Sequence, residues 1–313
     1  MSSPVVSLIR AALPKANKYN VLTFLGNPLY DYLFANVVDK VYYWTEQYNK
    51  KSWDNTILGQ PCNTLILKEQ LPIDAEIDAV VVNDRVEQYI IGTSVSQFLH
   101  VPLIVVNHGC PHHLVQHPQW NTIFHNTGDM TVFVSEGIRD SWKSMGYLIR
   151  YGVDASLFKP NPHKEYDLVF FPTKNPTKRN TFNHIVQGFS YHTIQHCNRP
   201  EDLALQISKG KFFVNLDGPS FPPAILFAMS CGVPVLSVDY PELDGVIINY
   251  QNGFQSKVNH IPEIARKVLR EIPKHDKLCQ QTRSFIERSY SLEQYRDSWT
   301  NLLEQTTSII HVR

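Results

Sequence analysis

The sequence predicts an α/β protein made of two parallel-sheet domains in series, and three observations lead there. Short apolar runs repeatedly end in polar turns and pass into helical patterns, as strands do when helices cover both faces of their sheet. That rhythm is interrupted at "YGVDASLFKPNPHKEYD", where prolines separate two series of such units. A length of 313 residues accommodates one large or two medium domains.

The first series opens with "YNVLTFLGNPLYDYLFANV", in which Val21 to Leu25 suit a buried strand and Gly26-Asn27-Pro28 turn the chain into a helix. "VDKVYYW" (38–44) and "IDAVVVND" (77–84) are further strand candidates, the second ending in polar residues where a parallel strand meets a loop. "QYIIGTSVSQFLH" (88–100) reads as a helix and "VPLIVVNHG" (101–109) as a strand entering a polar turn. "MTVFVSEGIRDSWKSMG" (130–146) supplies a short strand, a turn and a helix.

The second series begins with "YDLVFFPTKNPTKRNTFNHIVQGF" (166–189), again strand, polar loop and helix. "PEDLALQISKG" (200–210) is a helix and "KFFVNLDG" (211–218) a strand. "SFPPAILFAMSCGVPVLS" (220–237) is a helix that stops at Gly232 and runs into a strand. "IPEIARKVLREI" (261–272) is amphipathic, and "SLEQYRDSWTNLLEQTTSII" (291–310) is a long terminal helix with Ser291 as its cap. Between Arg179 and Pro200 only one helix and one short strand fit, so the second sheet is expected to be small. The division that results is 1–150, 151–290 and a terminal helix at 291–313. In paired domains of this kind, ligands sit in the cleft at the carboxyl ends of the strands.

Lys+Arg and Asp+Glu each total 29, and this balance disfavours tight nonspecific binding to nucleic acid, which needs many phosphate contacts. The five cysteines, at 62, 110, 197, 231 and 279, are scattered and never form a CxxC pair, which points to reduced thiols in a cytosol-like compartment. The apolar start "MSSPVVSLIRAALPKANKYN" is short and broken by Pro14, unlike a signal peptide or a membrane span. A soluble, cytoplasmic protein is the expectation.

The segment "VFVSEGIRDSWKSMGYLIRYGVDASLFKP" (132–160) resembles the domain-linking region of the family 4 (group 1) glycosyltransferases, through Gly152-Val153-Asp154, Phe158 and Pro160. "FPPAILFAMSCGVPVLS" is similar to that family's "EPFG…LEAMA.G.PVV.S" element, and "NYQNGF" (249–254) to the loop that follows it. The motifs run from about Thr131 to Phe254, and the chain also resembles the short, divergent members found in bacteriophages and other viruses. The resemblance implies the GT-B fold, a nucleotide-diphosphate sugar as donor bound mainly by the second domain, and a terminal helix packed back on the first. It implies transfer with retention of configuration, no essential metal and no cofactor. The acceptor is left open among a glycan, a protein and a modified nucleic-acid base, and the oligomeric state is left open too. A noncatalytic protein that binds a nucleotide sugar or a partner is the alternative.

A departing nucleoside diphosphate develops charge on its β-phosphate, so cations and helix N-termini must be aimed there. In the family an Arg and a Lys five positions apart do this, and Lys174 and Arg179, swapped in identity, keep both charges and that spacing directly after "LVFF", with Lys178 beside them. A solvated basic loop is the bland reading. The backbone N–H groups of Ser220, Phe221 and Ala224 are expected to face the donor, whereas Pro222 and Pro223 have none. The family's two glutamates fall on Pro219 and Phe227, so Phe227 either packs against the ribose or base or belongs to the core. The family's further glutamate after "PVLS" is missing, with Glu242 and Asp244 as displaced substitutes.

On the first domain, His108 is expected to contact the donor sugar across the cleft, and a polar loop histidine is the alternative. Gly26 and Asn27 match a loop approached by acceptor or phosphate, though Gly26 can also serve a simple turn. Asp84, beside Asn83 and Arg85, lies at another strand end facing the cleft. His108, His112, His113 and His117 with Cys110 have the residue types of a zinc site but no partner cluster, so no metal is assigned. Tyr42, Tyr43, Trp44 and Trp53 could stack on sugars or pack inside.

Overall fold

The computed structural model describes residues 19–45, 52–53, 58–67, 70–83, 85–111, 128–172, 175–216, 221–270 and 272–310. Two wholly parallel sheets organise them. The first holds β1 (Asn20–Phe24), β2 (Lys40–Trp44), β3 (Thr64–Leu67), β4 (Ala79–Asn83), β5 (Leu103–Asn107), β6 (Met130–Phe133) and β7 (Tyr147–Leu148), in the order β3-β2-β1-β4-β5-β6-β7. Its helices are α1 (Pro28–Ala35), α2 (Val86–Leu99) and α3 (Glu136–Trp142). Every residue of β1 and β5 is buried, as both-face coverage requires.

The second sheet holds β8 (Tyr166–Phe170), β9 (Tyr191–Thr193), β10 (Gly210–Asn215), β11 (Val235–Val238) and β12 (Gly253–Ser256), in the order β12-β11-β10-β8-β9. With it come α4 (Pro176–Ile185), α5 (Pro200–Ser208), α6 (Ala224–Ser230), α7 (Ile261–Leu269), α8 (Ile272–Ser289) and α9 (Leu292–Ile310). Strands β3, β7 and β12 and helix α8 go beyond the sequence expectations. Among the described residues no helix is long and apolar enough to cross a membrane.

Period-two alternation divides the first sheet cleanly. Val21, Val41, Tyr43, Val81 and Ile104 face one side, and Leu22, Phe24, Tyr42, Val80 and Leu103 the other. The first of these faces belongs to an apolar cluster that continues through Val153 and Phe158 into Phe213, Phe221 and Phe227. The core therefore runs unbroken from one sheet to the other.

The linking motif has a physical reason at each position. A Cβ on Gly152 would sit 2.4 Å from Tyr295 Cβ and 2.5 Å from the Ser291 carbonyl, so only glycine lets the linker pass this close to α9. The Val153 N–H donates to the Tyr290 carbonyl at 2.9 Å. Asp154 Oδ1 accepts from the Ser156 N–H (2.9 Å) and hydroxyl (2.6 Å), closing the turn. Phe158 stacks on Phe227 with centroids 4.5 Å apart. Helix α9 begins with the Gln294 N–H donating to Ser291 Oγ at 3.1 Å, and crosses to the first domain, where Trp299 meets Phe34 edge-on at 4.9 Å.

Candidate functional site

The carboxyl ends of the two sheets meet, and they meet by hydrogen bonds. The Phe221 N–H donates to the His108 carbonyl at 2.8 Å, and the Tyr30 hydroxyl donates to the Phe221 carbonyl. Farther along the seam, Ser135 Oγ donates to the Glu242 carbonyl at 3.2 Å, and Leu58 forms a parallel bridge with Cys197. Segments that follow β1, β2, β5 and β6 thus touch segments that follow β9, β10 and β11.

His108 lies one residue beyond β5 and is buried. Asn83 Nδ2 donates to Gln88 Oε1 at 3.1 Å, which turns Asn83 Oδ1 toward the imidazole, 2.7 Å from Nε2. That oxygen only accepts, so Nε2 carries a proton. Nδ1 contacts the Tyr151 hydroxyl, and Tyr30 stacks on the ring with centroids 4.6 Å apart. Both nitrogens are engaged within the protein, and the group His108 extends across the cleft is its carbonyl. The ring's expected contact with a sugar has no free nitrogen to make it.

Asp31 stands in the first turn of α1 and lines a small cavity with Thr23, Asn83, His108 and Tyr151. Burial pushes its carboxyl up to about 8, against the opposing pull of the Gly26 N–H and of Arg85. It is therefore mostly neutral at pH 7 and accepts the Gly26 N–H at 3.1 Å through Oδ2. Tyr30, Asp31 and Tyr151 are site residues that sequence reading missed. Tyr30 and Asp31 stand directly after the Gly26-Asn27-Pro28 turn, which was the available signal. Asn27 caps α1, its Oδ1 accepting from the Leu29 N–H at 2.9 Å. A Cβ on Gly26 would lie 3.8 Å from Asn83 Nδ2 and 3.9 Å from Asp31 Oδ1, so packing leaves room for a methyl there.

On the second domain, α6 is buried along its whole length, and Phe221 and Phe227 are fully enclosed. Phe227 lies between Phe158 and the edge of Tyr32, so the structure gives it to the core and not to a ribose. The Phe221 N–H, expected to face the donor, is taken by His108. Ala224 is buried, and Ser220, Lys174 and Asp84 lie outside the described residues. Arg179 is exposed in the first turns of α4, whose N-terminus is closed by Asn175 Oδ1 accepting from Thr177 N–H (2.9 Å) and Lys178 N–H (3.3 Å).

Glu242 is buried in the seam beside Cys110, and Asp244 is exposed at its edge. Burial and the neighbouring Asp239 and Glu242 raise the Asp244 carboxyl. Tyr42, Tyr43 and Trp53 are buried in the core, and Trp53 Nε1 donates to the Leu58 carbonyl at 2.7 Å. Cys110 is buried with its thiol pushed up to about 11, while His112, His113 and His117 lie outside the described residues. No group of three or more metal-ligating side chains converges among the described residues.

No family model and no curated protein matches the sequence. Solved structures do match the fold. Sucrose-phosphate synthase from Thermosynechococcus elongatus aligns over 93% of this chain and 100% of its own, at TM-score 0.69 and 14% identity. HepE from Anabaena, solved with UDP and glucose, aligns over 92% of this chain and 100% of its own, at TM-score 0.71 and 10% identity. A glycosyltransferase from Rickettsia africae aligns over 93% and 99%, at TM-score 0.61 and 12% identity. Two parallel sheets joined at their carboxyl ends, aligned over nearly the full length of these glycosyltransferases, establish that the chain has the GT-B fold.

Proposed function

We propose that this protein transfers a sugar from a nucleoside-diphosphate sugar, seated on the second domain, to an acceptor entering over the first. The observation that carries the reading is the near-complete overlap with HepE, which has also been solved with UDP-glucose, and UDP-sugars are therefore the first donors to test. Bond breaking leaves charge on the β-phosphate, and Lys174 and Arg179, after β8, are the side chains assigned to it. These cations do the work a metal would otherwise do. With retention of configuration the leaving phosphate accepts the acceptor proton, so no strong base is needed. Gly26 and Asn27 border the acceptor path, and Asp84, next in sequence after β4, is assigned to it too. His108 is a positioning residue in this scheme, fixing Phe221 and hence the start of α6 through its carbonyl.

A second reading is favoured by specific observations. The family's glutamates are replaced by Pro219 and Phe227, and the Phe221 N–H is already bonded. A protein that binds a nucleotide sugar without cleaving it would have these features. Melting-temperature shifts and donor hydrolysis, measured with UDP-, GDP- and ADP-sugars, separate the two. A transferase gives both signals, and a binder gives the shift alone. Lys174→Ala with Arg179→Ala is expected to weaken diphosphate binding by at least about tenfold, the loss of charge-assisted hydrogen bonds. Unchanged affinity removes these residues from the donor site.

A further inference from the structure

We propose that the outer flank of the second domain carries a second ligand site, away from the seam, that takes an anionic amphiphile. The ligand class is an apolar chain bearing a phosphate or carboxylate head.

Helices α7 and α8 meet the edge strand β12 around a cavity of about 670 Å³, within the range of small-molecule sites. Its floor is apolar: Phe254 and Leu278 are buried, and Ile264 and Val268 are half-buried. At the mouth stands Tyr250, 76% exposed and held edge-on to Phe254 at 5.2 Å. Its φ of 66° is a left-handed conformation that bulky side chains rarely adopt, and here it keeps an aromatic ring at the opening.

The rim is cationic. Lys267 comes from α7 and Lys274 and Lys277 from α8, against one lining carboxylate, Glu263. Among the described residues neither Lys267 nor Lys277 has an ion pair, so their charges are available to a ligand. The other large cavities differ in this respect. One of about 690 Å³ beside the linker is lined by Lys164, Lys211 and Arg283, whose charges are used internally. Lys164 donates to the Ser208 carbonyl at 2.8 Å, Lys211 pairs with Asp167 at 2.8 Å, and Arg283 binds the Phe158 carbonyl at 2.6 Å. Another, of about 910 Å³, pairs Arg150 with Glu136 and sets Arg288 in a lining that also holds the carboxylates of Asp140 and Asp244, so it offers no net positive rim. The α7–α8 cavity combines an apolar floor with open positive charge. An inorganic anion would leave that floor wet, and an uncharged hydrocarbon would leave Lys267 and Lys277 unused. An amphiphile satisfies both.

The test is titration of the full chain with hexyl, octyl and decyl phosphate below their micelle thresholds, alongside inorganic phosphate and decyl maltoside. The proposal expects saturable one-to-one binding whose Kd falls about two- to fourfold per added methylene, as apolar burial dictates. Lys267→Gln with Lys277→Gln, both at exposed positions, should raise Kd at least about tenfold with the circular-dichroism spectrum unchanged. Alkyl phosphates that bind no better than inorganic phosphate or decyl maltoside overturn the site, as does equal binding by the double variant. Vesicles of phosphatidylglycerol in phosphatidylcholine form the remaining arm. Retention on them without saturable monomer binding also overturns it, making the lysines a flat surface for a bilayer.

Discussion

Buried in the first turn of α1, Asp31 holds its proton up to about pH 8, whereas in the unfolded chain it ionises near the ordinary carboxylate value. Between those two values the native state binds one proton more than the unfolded state, so this group makes stability fall as pH rises from about 4 to about 8. Asp31→Asn keeps a neutral acceptor for the Gly26 N–H and removes the proton. The variant's unfolding free energy should lack this descending component, as measured by urea titration at several pH values. Parallel curves for variant and parent contradict the assignment. Gly26 offers a complementary test, because a methyl group fits there without a clash. Gly26→Ala should leave the melting temperature nearly unchanged and reduce acceptor or donor affinity; unaffected affinity removes Gly26 from the cleft. His108 was legible from its place at a strand end. What its ring does was not, because the answer depends on Gln88 orienting Asn83 and on Tyr151, which lies 43 residues away. No local pattern encodes such a contact.

At the level of elements, α8 fastens the linker to α6 through Arg283. Its guanidinium donates to the Phe158 carbonyl at 2.6 Å, to the Ala155 carbonyl at 2.7 Å and to Ser230, while Nε pairs with Glu287 at 2.6 Å. Arg283→Met strips donors from carbonyls held between elements, and is expected to cost about 2–4 kcal/mol. A lowered urea midpoint at unchanged slope is the expected readout, and an unchanged midpoint contradicts the clamp. Most strands were legible because both-face burial writes them as continuous apolar runs, as in "NVLTF" and "LIVVN". Helix α8 was not. Its buried side includes His275 and Thr282 beside Leu278 and Ile286, so polar residues dilute the apolar period that marks a helix. β7 has only two residues and β3 four with one fully buried, too short for a pattern to register.

For the whole molecule, the proline-rich break at 151–167 lies between the last strand of the first sheet and the first strand of the second, where the linker leaves one sheet, passes α9 at Gly152 and enters the other. How the two sheets join was not legible. The seam is made of backbone groups, with Phe221 held from both its N–H and its carbonyl by His108 and Tyr30, and backbone bonds leave little trace in residue type. Pro219 and Phe227, at positions where the resembled family carries glutamates, were visible in the sequence. Donor use is decided by titrating the protein with UDP-glucose and the UDP-, GDP- and ADP-sugar panel and then following release of free sugar and nucleotide. At least one nucleotide sugar should bind saturably and be slowly hydrolysed, with both signals lost in Lys174→Ala/Arg179→Ala. A panel in which none binds and none is cleaved contradicts donor use.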